Sequence, residues 1–454
     1  MVLRNRATRG RRHGRMIPTE DPAPGTQQST AAVRGFNLTS AISHYGEDTK
    51  EPDRAILVHE EICTGNPFDI YQAWDSFIPD PDQVSSETSQ ESTRSRNSST
   101  DHDCFHLPPA SVVVTYSYFH FLTISNLHII PSSDVNYLES QGCLHVPMRP
   151  MLDDFVEQYF LHVHPMVPII DEGDFWDMYA QNKMDRDGGS TDTISLVLFQ
   201  AMLFSSCTFV PFDNIRKLGF VSLRQARGEF YRRAKLLYDL DTETNHLPLA
   251  QAALLLMLWY PPLNVTLIPC QTWLSRALQH ARSLDADGLA TRVEVSTKGQ
   301  GILRRLWWCC IIADRVSTLC TRYHPSINYF TFDFESSIAL KASDLQGEVY
   351  RSCVYNPVSK KSLICVFEVS INFMVILTDV LEITFPFKNL STARESPKQD
   401  ESTRIRECEG AMDRWFNHAT TTVPPFEEPD SVLETKGSLH KSVDLHIGLL
   451  YIYY

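Results

Sequence analysis

The sequence predicts an all-α fold, a multi-helix body preceded by a disordered basic arm and a Ser/Thr-rich linker. Three observations carry this expectation. From Asp134 onward, apolar residues recur at helical spacing through segment after segment. A 43% share of hydrophobic residues across 454 positions is enough to fill a sizeable core. Residues 83–103, QVSSETSQESTRSRNSSTDHD, hold too little apolar side chain to offset the entropy of ordering, so they read as a linker with room for phosphorylation.

Charge is distributed unevenly. A formal net charge of −14 opposes nonspecific attraction of the body to DNA or anionic membranes. Against it stands one cationic arm, in which Arg4, Arg6, Arg9, Arg11, Arg12 and Arg15 precede the first acid, Glu20. Nuclear targeting, contact with phosphate, or a solvated tail are the readings open to such a cluster. No apolar stretch of a secretory signal follows it. Eleven cysteines occur without a CxxC pair, which predicts reduced thiols in an intracellular compartment and neither a zinc knuckle nor a redox site.

Composition divides the chain into a basic disordered arm (1–34), a low-order region (35–130), a helical domain (131–350) and a C-terminal helical extension (351–454). The low-order region contains the linker and an uncharged apolar insertion, Val112 to Ile130, which reads as strand-like. A membrane span is the competing reading, and His120, Asn126 and His128 oppose it.

The helices follow in order. Met151 to Val163 aligns Phe155, Tyr159 and His162 on one stripe and stops at His164 and Pro165. Pro165 and Pro168 force an extended crossing through Met166, Val167 and Ile169. Asp171 then caps a new helix, with Ile170 and Phe175 placed to close a hydrophobic staple. His162 and His164 point to different sides and make a poor metal pair. Ile194 to Phe204 is apolar all round and belongs at the centre. In Leu223 to Tyr238, Ala226, Phe230, Ala234 and Leu237 form the inner stripe, and Arg224, Arg232 and Lys235 face solvent.

Leu247 to Tyr260 accommodates Pro248 in its first turn and ends at Pro261 and Pro262, too short to cross a bilayer. Trp273, Ala277, Ala281 and Leu284 continue the pattern to Gly288, expected as a left-handed C-cap. Arg304 to Cys320 follows, and everything else is organised around this helix because it is apolar all round and still contains Asp314. An enclosed carboxylate needs Arg315, Arg322 or backbone donors, as a structural ion pair or as a binding-site acid. Trp307 and Trp308 read as core or as a stacking platform. Further helices are expected at Leu363 to Leu381, Glu401 to His418 and Val443 to Tyr454. The apolar ending LLYIYY, with no C-cap, predicts that the fold continues past it.

No Walker loop, Rossmann glycine fingerprint, GxSxG elbow or HExxH is present in the sequence, which leaves a helical enzyme with dispersed site residues as the catalytic alternative. A membrane-associated helical protein is the other. Three stretches in order, FVEQYFLHVHPMVPIIDEGDFWDMY, QTWLSRALQHARSLDADG and LRRLWWCCIIADRVSTLCTRYHPSI, resemble the fungal-specific transcription factor domain, the middle homology region of Zn₂Cys₆ zinc-cluster regulators. FQAMLFSSCTFV, RRAKLLYDLD and AQAALLLMLWY further resemble its cutinase transcription factor-like branch.

The resemblance implies an all-α regulatory module in a fungal nucleus, not an enzyme, that controls RNA polymerase II transcription of a metabolic gene set, catabolic or secondary. It implies transcription machinery or a co-regulator as partner, DNA reached directly or through a partner or DNA binding lost, a homodimer or heterodimer, and no membrane. The family's zinc cluster needs six cysteines opening with CxxC-like pairs, and none precedes Cys63, so no cofactor is visible. Zinc is expected only if a further N-terminal exon supplies that cluster. Because helix bundles offer apolar clefts, the expected ligand cleft lies between Trp273, Trp307 and Asp314.

Overall fold

The computed structural model describes residues 112–180, 193–259, 269–290, 298–337, 340–386, 398–423 and His446, all within the unit Ile62–Tyr454. The arginine arm, the Ser/Thr-rich linker and, apart from His446, the expected last helix lie outside the described residues.

Val113–Thr115 forms β1, Leu122–Thr123 β2, Ser132–Ser140 α1 and His145–Pro147 β3. β1 runs antiparallel to β3, with Val114 opposite Val146. α2, Met151–Gln158, widens into a π-helical turn over Tyr159–Val163, where the His164 amide donates to the Tyr159 carbonyl at 2.9 Å. After the proline crossing, α3 spans Glu172–Ala180, and the Asp174 amide donates to the Asp171 carboxylate at 2.9 Å, so Asp171 is the expected cap. Ile170 and Phe175 are both buried, as the staple requires.

Ile194–Ser195 forms β4, which pairs in parallel with β2, and α4, Leu196–Ser206, follows with every residue buried. Its one amide side chain, Gln200, donates to the carbonyls of Cys143 and His145, so the polar atom costs little inside the core. α5 is Phe212–Lys217, α6 Leu223–Asp239 and α7 His246–Leu256. Ser222 caps α6 and Asn245 caps α7. α8 covers Pro269–Ser283, α9 Ala286–Ala290 and α10 Lys298–Thr321. After α11, Ala342–Leu345, the 28-residue α12 runs Pro357–Thr384, opened by Asn356 as cap and Pro357 in the first turn. α13, Lys398–Thr422, packs along α12, where the Trp415 indole donates to the Val369 carbonyl at 3.0 Å. With thirteen α-helices and four short strands among the described residues, the fold is all-α.

α4 contacts α6 and α7, α7 contacts α8, and α10 touches both α8 and α12, so the helices form one continuous core. α12 is long and apolar enough to cross a bilayer, yet 61% of its most apolar window is buried inside the protein, as suits a central helix.

Three expectations are corrected. Val112–Ile130 is not a low-order insertion: Phe119, Phe121 and Leu122 are buried in the main core. Nor does a boundary fall at 350, because α12 shares that core. The left-handed residue after α8 is Asp285 (φ 56°), and Gly288 lies inside α9. An aspartate tolerates this conformation better than most residues, which is why glycine is not needed there.

Phe121 packs on Tyr179 (5.1 Å between ring centroids) and Phe199 (5.7 Å). Replacing it with alanine is expected to cost about 3 to 5 kcal/mol in urea unfolding, as for other core aromatics. An unchanged midpoint would show that this segment lies outside the cooperative unit.

Candidate functional site

Where the proline crossing meets α3, five chain segments bring charge into the interior. His164 ends the π-turn, Asp171 and Glu172 start α3, Arg305 comes from α10, Glu348 from a 3₁₀ turn over Gln346–Glu348, and Lys360 from α12. All but Asp171 are buried. Glu348 is the common partner. It accepts from the His164 ring Nε2 at 3.1 Å, from Lys360 at 3.1 Å, from the Glu172 amide at 3.3 Å and from Arg305.

Burial alone would raise the Glu348 carboxyl, but His164, Lys360 and Arg305 overcome it and hold the group well below the usual carboxylate range. Glu172 accepts from Lys360 and from the Trp176 indole (3.2 Å). Asp171 meets Arg305 at 3.4 Å and Arg351 at 3.5 Å.

His164, Glu172 and Glu348 offer ligand atoms within 4.8 Å of one another, a spacing that would suit a metal ion. The Lys360 ammonium touches both carboxylates and supplies the positive charge itself. The pocket beside them measures about 10 Å³, the size of one water, so the cluster fastens segments and has no room for a substrate.

Pro165 creates a second node. It has no amide hydrogen to return to the Leu161 carbonyl, which instead accepts from the Tyr355 hydroxyl at 2.5 Å and the His446 ring at 3.1 Å. Burial pushes the His446 imidazole down to about 4, so it is neutral at physiological pH and donates through Nε2.

Asp314 forms the third node. Its carboxylate accepts from Arg315 (2.5 Å) and from the amides of Ser326 (2.9 Å) and Ile327 (3.1 Å). Burial raises this carboxyl, with Arg315 and the two amides acting against the shift. Arg315 continues to the Thr378 hydroxyl of α12 and the Ile327 carbonyl. Of the donors the sequence offered, Arg315 and backbone amides are used. Arg322 is exposed, in the left-handed conformation that ends α10 (φ 56°).

The three residues of the expected cleft are not gathered around one opening. Trp273 donates to the Tyr231 hydroxyl at 3.0 Å and packs edge-on against Tyr238. Trp307 is fully buried beside Phe332. Asp314 alone borders a cavity, of about 260 Å³ between α8, α10 and the loop after α10. Sequence reasoning missed Arg305, Glu348 and Lys360. The signal available was a basic pair inside an apolar helix, Arg304 and Arg305, both buried.

Two pH windows follow. A buried imidazole with a depressed value binds its proton more readily when unfolded, so stability falls as pH drops from about 6.5 toward 4. His446→Gln should remove roughly 3 kcal/mol of that fall, read from urea midpoints across the range. Glu348 has the opposite history, and its contribution is full above the ordinary value of 4.5 and is lost as pH falls further. Glu348→Gln should therefore flatten the acid limb below about pH 4.5 while lowering stability at pH 7 by about 3 to 5 kcal/mol.

Comparison with known proteins places this geometry. The family model described as the fungal specific transcription factor domain matches residues 156–417, from α2 through most of α13. The chain is 31% identical over 220 residues to cutinase transcription factor 1 beta of Fusarium vanettenii, covering 48% of this chain and 24% of that protein. It is 33% identical over 208 residues to a transcription factor of Fusarium pseudograminearum (strain CS3096), covering 44% and 22%. With the acetamidase regulatory protein of Aspergillus fumigatus the identity is 28% over 206 residues, covering 45% and 24%. The matched part thus spans about a quarter of each of these relatives. No solved structure matches the chain significantly. With more than half of its length matched by the family model, the chain belongs to the fungal specific transcription factor domain family.

Proposed function

We propose that the chain is the regulatory body of a fungal transcription regulator that acts in the nucleus on RNA polymerase II transcription of a metabolic gene set. The observation that carries this reading is the coincidence of the matched region, 156–417, with one continuous helical core. The relatives point to the gene class, since one is a cutinase transcription factor and another an acetamidase regulatory protein. The internal charges support a module that holds shape over one that turns over substrate. Every buried carboxylate of the cluster at Glu348 is neutralised by a cation and enclosed.

The zinc cluster of such regulators finds no fit in the described cysteines. Five of these nine thiols are buried, and burial pushes Cys143 and Cys207 up to about 12, against the thiolate that zinc requires. DNA is then reached through a partner, or through a cluster supplied by residues other than these. Arg4, Arg6, Arg9, Arg11, Arg12 and Arg15 serve as the nuclear-targeting or phosphate-contacting arm, because guanidinium groups attract phosphate without selecting a base. Transcription machinery, a co-regulator or a second subunit completes the assembly.

A fluorescently tagged full chain, expressed in a filamentous fungus, should accumulate in nuclei and crosslink to promoter chromatin. Changing the six arginines to alanine should abolish that accumulation. A cytoplasmic distribution, with no transcript changed on deletion of the gene, would overturn the reading.

A further inference from the structure

The cavity beside Asp314 has a chemistry that the packing of the core does not use. Gln271 and Ser275 of α8 and Ser317, Thr318 and Thr321 of α10 form its walls, and Tyr323 stands at its mouth with 57% of its surface exposed. Leu274 is the one aliphatic residue among those that line it. Its volume, about 260 Å³, is far larger than the one-water pocket beside Glu348 and gives space for a small molecule of monosaccharide size.

The charges that border it are spent. Asp314 is bound by Arg315 and by the Ser326 and Ile327 amides, with Ser326 adding its side chain. His324 directs Nδ1 at the Phe385 carbonyl and Nε2 at the Asn328 side-chain amide, so both ring nitrogens have partners in the protein. An ionic ligand would therefore meet no counterion and would lose hydration without return.

The hydroxyl groups are not spent. Serines and threonines inside helices usually return their hydrogen to the carbonyl four residues back, as Thr321, Ser370 and Thr378 do here. Thr318 is 3% exposed, yet among the described residues its hydroxyl has no hydrogen-bond partner, and neither has that of Ser275. Gln271 donates to the Thr321 hydroxyl at 3.3 Å, which leaves its side-chain carbonyl as an acceptor.

We infer that this cavity binds a small, uncharged, polyhydroxylated molecule of the monosaccharide or cyclic polyol class. Thr318, Ser275 and Gln271 exchange hydrogen bonds with its hydroxyls, and the Tyr323 ring covers its C–H face. The occupant would touch α8, α10 and the loop that ties α10 to the end of α12 through His324 and Phe385. Ordering that junction would be an input for the regulator, and this consequence alone rests on the transcriptional reading.

The test is calorimetric titration of the purified full chain with D-glucose, myo-inositol and erythritol, and with gluconate and glucosamine as charged analogues. At least one neutral probe should saturate, with the charged analogues at least about tenfold weaker. Thr318→Val should weaken that probe about fivefold to tenfold, the loss of one hydrogen bond. Ser275→Trp, at an exposed position on the rim, should abolish binding with an unchanged melting temperature. The inference is overturned if no neutral probe saturates, if a charged analogue binds as well, or if Ser275→Trp binds like the wild type. Any of these would leave the nuclear location and the chromatin association untouched, so the two readings fail separately.

Discussion

The Glu348 carboxylate is the point on which the fold turns. Its four donors come from the end of the π-turn, the start of α3, α10 and α12, and Glu348 itself follows α11. The partners are far apart in sequence, 184 residues for His164 and 43 for Arg305. The contacts to His164, Glu172 and Arg305 close long loops, so none of these three forms until the helices have docked in one arrangement. Apolar contacts between helices tolerate sliding, whereas a buried acid with four specific donors does not. The cluster thus sets register among helices that the rest of the core only holds together.

The prolines explain why the cluster sits there. Pro165 and Pro168 break the helical ladder and expose carbonyls that must find other donors. Leu161 finds Tyr355 and His446, and Ile169 finds the side-chain amide of Gln251. The crossing delivers Glu172 to the interior and Asp171 to its edge, with the α3 amide end directed at Glu348. A second carboxylate, Asp314, does for the loop after α10 what Glu348 does for the crossing. Both acids are enclosed, and both are answered by an arginine of α10.

Local chemistry was legible in the sequence, and long-range partnership was not. The proline crossing, the Asp171 cap, the all-round burial of α4 and the pairing of Asp314 with Arg315 all follow from neighbours within a few residues. The burial of Arg305 and Lys360 depends on carboxylates that no spacing reveals. In Val112 to Ile130 the strand-like reading holds at β1 and β2, but an uncharged composition does not separate an insertion from core, and the aromatic residues of the segment fill the core beside α3 and α4. The expectation of one cleft between Trp273 and Trp307 rests on the general tendency of helix bundles to offer apolar clefts. Each is instead packed among other aromatic rings, and the opening is lined by small hydroxyl residues whose pattern carries no strong signal.

A rigid junction of this kind suits a domain that must transmit a state, because a change at one bordering helix is felt at all of them. The claim that Glu348 is a shared anchor can be tested by a double-mutant cycle on the full chain in urea, with Glu348→Gln, Arg305→Met and the two combined. If the pair is a buried mutual dependence, each single change costs about 3 to 5 kcal/mol and the double change costs far less than their sum. Costs that simply add would show that the two groups act independently, and the cluster would then be a set of separate contacts with no anchoring role.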